Sequence, residues 1–328
     1  MAEVIALIGG DTLLGREFRE VAGETSLGTH LRLVAGDEEE VGRLTEIGGE
    51  PAFLSKLDPH ELHDAAVIVL AGSAESSKDA LEASPSGLVI DLTYVTEDEP
   101  AARVRAPQIE GPDYRRDHSG PQVVAHPAAI AIAAVLKRMS ATGVIARAVV
   151  EIFEPASERG RHGIEELQQQ TINLLSFQPL PKKVFDAQLG FSLLAQLGPD
   201  APVTLQDVEE RIERHLATLL ERVEGVRMPS IRLIQAPVFH GYSFSFWVQF
   251  EDEPRLADLE EALNQEPLEF HLADVEAPNN VGVAGQSGIS LGALSADRNC
   301  TTAIWLWAAA DNLRLSAENA VRIAAEVI

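Results

Sequence analysis

The sequence predicts an α/β protein in two domains, a doubly wound parallel sheet followed by an α+β domain. Three observations carry this. Short continuous apolar runs ("VIALI", "AVIVLA", "LVIDL") alternate with helical patterns in the first part of the chain. A glycine-rich turn, "GGDTLLG", follows the first run directly. Beyond Pro127 the strict alternation stops, and strands and helices follow in mixed order.

Taken in order, residues 4–8 form a strand, and residues 13–22 have the apolar spacing of a helix. Residues 31–35 make a second strand that ends at the acidic stretch "DEEEVGR". Residues 66–71 and 88–92 are apolar throughout, as strands covered on both faces are, with a helix over 75–83 between them. This βαβ rhythm implies parallel strands with right-handed crossovers. "VVAHPAAIAI" then reads as strand, turn and helix, with Pro127 in the first helical turn and the helix over 128–139. A strand over 146–153, a loop "ASERGRHG" and an amphipathic helix over 163–175 come next. "FQPLPKKVF" interrupts, and a second amphipathic helix covers 205–223. Residues 231–238 and 243–250 are expected to pair as strands around "FHGYS", with Phe244, Phe246, Val248 and Phe250 on one face. That face is either a dimer interface or the core of a monomer. The closing helix, "LSAENAVRIAAEVI", is expected to return to the first domain. The domains are therefore drawn as 1–127 plus 312–328, and 128–311.

Composition narrows the function. The chain has 328 residues, 45% of them hydrophobic, and a mean hydropathy of zero, values of an ordinary soluble protein. Its 26 basic against 51 acidic side chains give a net charge of −25, which repels nucleic acid and anionic lipid alike. The single cysteine, Cys300, excludes an internal disulfide and a cysteine zinc site, and no metal is expected. "MAEVIALIGG" enters a strand at once, unlike a signal peptide, and no run is long enough to span a membrane. A cytoplasmic location is the expectation.

The turn "LIGGDTLLG" stands where a Rossmann-like domain docks a dinucleotide pyrophosphate, which needs close backbone approach and free N–H groups at a helix start. Gly9, Gly10 and Gly15 supply the small residues, and Thr12, Leu13 and Leu14 the helix start. The other reading is a tight βα turn that binds nothing. Asp37, with Glu38, Glu39 and Glu40 after it, could accept the ribose hydroxyls of NAD and would repel the extra phosphate of NADP. Alternatively, these are solvated loop acids.

Six segments together resemble the aspartate-semialdehyde dehydrogenase family, in the same order and over nearly the whole chain. They are "LIGGDTLLG", "VIDLTYVTE", "VVAHPAAIAI", "IFEPASERGRHGIEEL", "APVFHGYS" and "WLWAAADNLRLSAENAVRIAAEVI". The resemblance implies an N-terminal NAD-binding domain, a second domain for dimerisation and substrate, and a homodimer. It also implies acyl chemistry through a cysteine thioester, with an imidazole moving protons and arginines gripping carboxylate and phosphate. Gly72, Ser157 and Asn312 then join the glycine turn as cofactor contacts.

Matched position by position, the catalytic groups are replaced. Ala129 stands for the cysteine and Tyr242 for the histidine, a phenol of pKa about 10 for an imidazole of about 6.5. Glu154 stands for the assisting glutamine, Gln235 and Glu97 for two arginines, and Ala293 and Ser295, or close neighbours of them, for two more. Thr12 and Glu158 take the places of glycines, and Cys300 matches no nucleophile. Two readings remain open. One is a divergent, non-catalytic homologue that binds NAD weakly or not at all and holds a small ligand in its former cleft. The other is an oxidoreductase with altered acid–base groups drawn from His126, His240, Tyr242 and Glu154.

Overall fold

The computed structural model describes residues 3–83, 85–111, 114, 116–272 and 275–328. Two compact units are present, Met1–Ala125 with Leu313–Ile328, and His126–Asn312.

The first unit runs β1 (Ile5–Ile8), α1 (Leu13–Gly23), β2 (Leu31–Val34), β3 (Leu44–Ile47), β4 (Glu50–Phe53), α2 (Pro59–His63) and β5 (Val67–Leu70). It continues through α3 (Ala74–Glu82), β6 (Leu88–Asp91), β7 (Arg103–Arg105) and β8 (Gln122–Val124). The main sheet has the order β2-β1-β5-β6-β8-β7, and every pairing in it is parallel. The chain therefore winds outward in both directions from β1, and the order reverses between β1 and β5. Such a reversal leaves a crevice at the carboxyl ends of the strands. "IALI" and "VIVL" are buried at every position, which is why they are apolar without alternation. β3 and β4 form a separate hairpin whose turn, Gly48 and Gly49, has positive φ at both residues (56° and 84°).

The second unit runs α4 (Pro127–Ser140), β9 (Ile145–Glu154), α5 (Gly160–Leu175), α6 (Leu205–Leu220), β10 (Ser230–Gln235) and β11 (Tyr242–Phe250). α7 (Leu256–Leu263), β12 (Leu268–Phe270), β13 (Ile289–Ala296) and β14 (Ala303–Ala310) complete it. The last helix, α8 (Asn312–Ala324), groups with the first unit from Leu313 onward. The sheet of the second unit is mixed, in the order β10-β9-β11-β14-β13-β12. Phe244, Phe246, Val248 and Phe250 share its buried face, as the alternation predicts. Their partners are graded in size: Phe244 lies between Ile152 and Ala308, and Phe246 between Val150 and Leu306. α4 packs against α6 and α7 and meets the sheet at β9.

Two expectations are corrected here. Residues 231–238 and 243–250 do not pair with each other. β9 lies between them, parallel to β10 and antiparallel to β11. The longer β9 supplies two edges, and residues 236–241 cross over its end instead of making a hairpin turn. The loop "ASERGRHG" is shorter than its composition suggested, because a 3-10 turn fills Ala156–Arg159 and α5 already starts at Gly160. A positive φ of 62° at Gly160 lets the chain pass from one into the other.

Candidate functional site

In the first unit the glycine turn is packed against its own surroundings. Gly9 has φ +80°, and a Cβ placed there would lie 2.3 Å from the Cα of Gly72, so the turns after β1 and β5 touch backbone to backbone. A Cβ on Gly15 would meet the carbonyl of Gly9 at 2.0 Å, and one on Gly10 would press Leu33 at 3.1 Å. Thr12 is the N-cap of α1: its hydroxyl oxygen accepts from the Gly15 N–H at 3.0 Å. The same hydroxyl lies 2.7 Å from the Ala71 carbonyl, to which it donates. Thr12 at a glycine position therefore ties the helix start to the second turn.

The free N–H groups of this turn are few. Gly9 and Gly10 donate to the Val34 carbonyl, and Thr12 to that of Gly9. The N–H of Asp11 donates to Glu39 at 2.5 Å, and the other oxygen of that carboxylate accepts from Gly36 at 2.8 Å. Burial raises the Glu39 carboxyl, and the two backbone bonds oppose the rise. Among the described residues, the Leu13 and Leu14 N–H groups are the donors left over at the helix start. Asp37, expected at a ribose, accepts from the Ser73 hydroxyl.

In the second unit, sheet geometry gathers the other predicted residues. Alternation along β11 puts Tyr242 on the face of Phe244, and alternation along β9 puts Glu154 on the face of Ile152 and Val150. Both side chains therefore end the same buried face, and both are essentially unexposed. The Tyr242 hydroxyl donates to Glu154 at 3.5 Å. The start of α4 adds His126 as N-cap, its Nδ1 accepting from the Ala128 N–H at 3.3 Å. The His126 and Tyr242 rings stand edge to face, 6.2 Å apart. Ala129 lies in the first turn of the same helix, wholly buried.

The electrostatic centre of this set is a pair of acids. Glu154 is ion-paired with Arg159 at 2.9 Å; burial still pushes its carboxyl upward, against Arg159 and Tyr242. Glu158 accepts from the Asn312 side-chain amide at 2.7 Å, and its other oxygen lies 3.9 Å from His126 Nε2. Burial, and then the neighbouring Glu154 charge, push Glu158 up to about 7. Ser157, expected at the cofactor, donates to Asn312 at 3.1 Å, and the Gly241 N–H reaches the same Asn312 oxygen at 3.3 Å. Gln235 donates to the Glu154 carbonyl at 2.8 Å, and its own side-chain oxygen is buried without a donor. A largely buried carboxyl pushed toward neutrality beside an imidazole can hold or pass a proton. No thiol belongs to the set.

Other predicted residues stand apart from it. The His240 ring makes no hydrogen bond among the described residues; its carbonyl accepts from Asn280. Ala293 and Ser295 are exposed on β13, at a break in its register with β14. Cys300 contacts Gln249 and Thr302 near the start of β14. Glu158 was visible in the sequence only as a lost glycine. Its acid–base meaning comes from burial beside Glu154, which no spacing rule reports.

Residues 136–315 match the semialdehyde dehydrogenase dimerisation domain family. The chain is 25% identical to an aspartate-semialdehyde dehydrogenase of Rickettsia bellii, over 99% of this chain and 97% of that one. It is 28% identical to a USG-1 protein homolog of Azotobacter vinelandii, over 98% and 96%. Among solved structures, a probable aspartate-semialdehyde dehydrogenase from Pseudomonas aeruginosa superposes with a TM-score of 0.84 at 25% identity, covering 99% of this chain and 98% of that one. Among the described residues no helix is long and apolar enough to cross a membrane.

Proposed function

The chain belongs to the semialdehyde dehydrogenase family, and on that premise we propose that it keeps the family's fold without its thioester chemistry. One observation carries the reading: the side chain matching the reactive thiol is the buried methyl of Ala129, in the first turn of α4. A methyl group cannot form a bond to a carbonyl carbon. The neighbouring changes point the same way. Arg159 is engaged by Glu154, and the positions matched to anion-gripping arginines hold Gln235, Glu97, Ala293 and Ser295.

The residues of the glycine turn fit a dinucleotide poorly. The Glu39 carboxylate accepts from the Asp11 N–H, and its charge opposes a pyrophosphate approaching that turn. NAD binding is accordingly weak or lost in this reading, and no step is routed through it. A homodimer is part of the proposal, supported by the match to a dimerisation domain.

A second reading, hydride transfer with altered acid–base groups, is favoured by Glu158, which titrates at about 7 beside His126. Nicotinamide absorbance separates the two. With a panel of semialdehydes, NAD or NADP and phosphate, the expected result is no rate above the protein-free control. A steady rate abolished by Tyr242→Phe or Glu158→Gln would establish the second reading instead.

A further inference from the structure

A groove of about 850 Å³ opens in the first unit between α1 and the β3–β4 hairpin. Its lining includes neither Leu13 nor Leu14, which carry the free N–H groups of the glycine turn. Three guanidinium groups converge on it. Arg16 and Arg19 lie three apart on α1 and so share a face, and Arg43 comes from the segment just before β3. In a chain with only 26 basic residues against 51 acidic ones, solvation alone gives no reason for three arginines to meet at one concavity.

One carboxylate organises all three. Asp11 is nearly unexposed and takes a two-pronged bond from Arg16, with Nε and Nη2 both at 2.8 Å. Arg43 Nη1 approaches it at 3.0 Å and Arg19 Nη2 at 3.5 Å. These cations pull the Asp11 carboxyl below its usual range despite its burial. Asp11 thus meets three cations, with Glu39 and Glu46 acting on them from farther off, and the buried Nε of Arg19 is left without an acceptor. A purely structural pin between helix and hairpin would be closed. Here the side chains of Arg16 and Arg43 are 43% and 45% exposed, and among the described residues neither side chain makes a hydrogen bond outside Asp11.

The rest of the lining sets the kind of ligand. Of the acids in the wall, Glu20 and Glu24 are held by Arg314, which leaves Glu46 on the hairpin beside Thr45. Exposed guanidinium groups beside a hairpin carboxylate, and beside a Thr45 hydroxyl that already accepts from Arg19, suit an anion carried on a hydroxyl-bearing body. We propose that this groove binds a small phosphomonoester on a polyhydroxy scaffold, its phosphate gripped by Arg16 and Arg43 and its hydroxyls facing Glu46 and Thr45. Guanidinium forks match phosphate oxygens, and their prior alignment on Asp11 lowers the cost of ordering them. The proposal does not rest on the fate of the thioester chemistry.

The test is a thermal-shift and calorimetric titration of the whole chain with ribose 5-phosphate, inorganic phosphate and ribose, each up to about 10 mM. A ligand that binds only the folded state raises the melting temperature in a saturable way. Ribose 5-phosphate is expected to do so, inorganic phosphate more weakly, and ribose not at all. Arg16→Gln and Arg43→Gln are each expected to weaken binding ~10-fold or more. Should Arg16→Gln lose its fold, Arg43→Gln decides alone, because it leaves the Asp11–Arg16 fork intact. No saturable shift in the unaltered protein, or a shift unchanged in Arg43→Gln, overturns the proposal. Equal affinity for ribose 5-phosphate and inorganic phosphate overturns the assignment of the scaffold.

Discussion

Ala129→Cys is expected to leave the protein without phosphate-dependent oxidation of any semialdehyde, although it restores the missing thiol. Removing a catalytic nucleophile costs up to ~10⁶-fold in rate, so replacing one is the natural attempt at rescue. Here it restores one group among several. A thiol at this position lies in the first turn of α4, where the helix start favours the thiolate. It is also fully buried, in a set whose acids are Glu154 and Glu158, and both effects disfavour the charged form. In the proposed reading, the position matched to the family's histidine holds the Tyr242 phenol, a group whose ordinary pKa is about 10. Among the described residues the arginine of the set, Arg159, is bound to Glu154. Nicotinamide absorbance with phosphate present should stay at the protein-free control, as for the unaltered protein. A rise of several orders of magnitude from this one change would show that the anion clamps were never lost.

The second large effect is a dependence of stability on pH that belongs to Glu158. Its carboxyl ordinarily titrates at 4.5 and is pushed to about 7 in the fold, mainly by burial and then by Glu154. The Asn312 amide and Arg159 oppose the rise, while Asp311 adds to it. The folded state therefore binds this proton more tightly than the unfolded chain does. Its contribution is complete below pH 4.5 and is lost as pH rises through about 7. Each pH unit in that window costs about 1.4 kcal/mol, so the total is on the order of 3 kcal/mol. The difference from Glu158→Gln is the quantity to read, because it isolates this one carboxyl from every other group in the chain. Glutamine keeps an acceptor for Asn312 and carries no charge at any pH. Urea unfolding from pH 4.5 to 8 is expected to show the variant gaining on the unaltered protein as pH rises. Parallel curves would mean that Glu158 titrates as an exposed acid.

How much of this was legible in the sequence differs by element. β1 and β5 announced themselves because strands covered on both faces have no polar positions. The Tyr242–Glu154 meeting was half legible: alternation fixes each residue's face, but only the placing of β9 beside β11 brings the two ends together. β14 was hidden. "AIWLWAAA" has the alanine content of a helix, yet it is a central strand because Phe244 on β11 faces the small Ala308. β3 and β4 were hidden for the opposite reason, being half exposed, although the two glycines between them are a hairpin signal. The closed glycine turn could not be read at all. That Glu39 folds back onto the Asp11 N–H, instead of standing in solvent, depends on the path of the segment after β2.

Loss of the thioester chemistry means that the unaltered protein never carries an acyl group. Intact-mass spectrometry after rapid acid quench, during incubation with semialdehyde, nicotinamide dinucleotide and phosphate, reads this without assuming a rate. The predicted result is the unmodified chain mass at every time point. A mass increase equal to the acyl group, removed by hydroxylamine and mapped to a residue of the α4, β9 or β11 set, would contradict it.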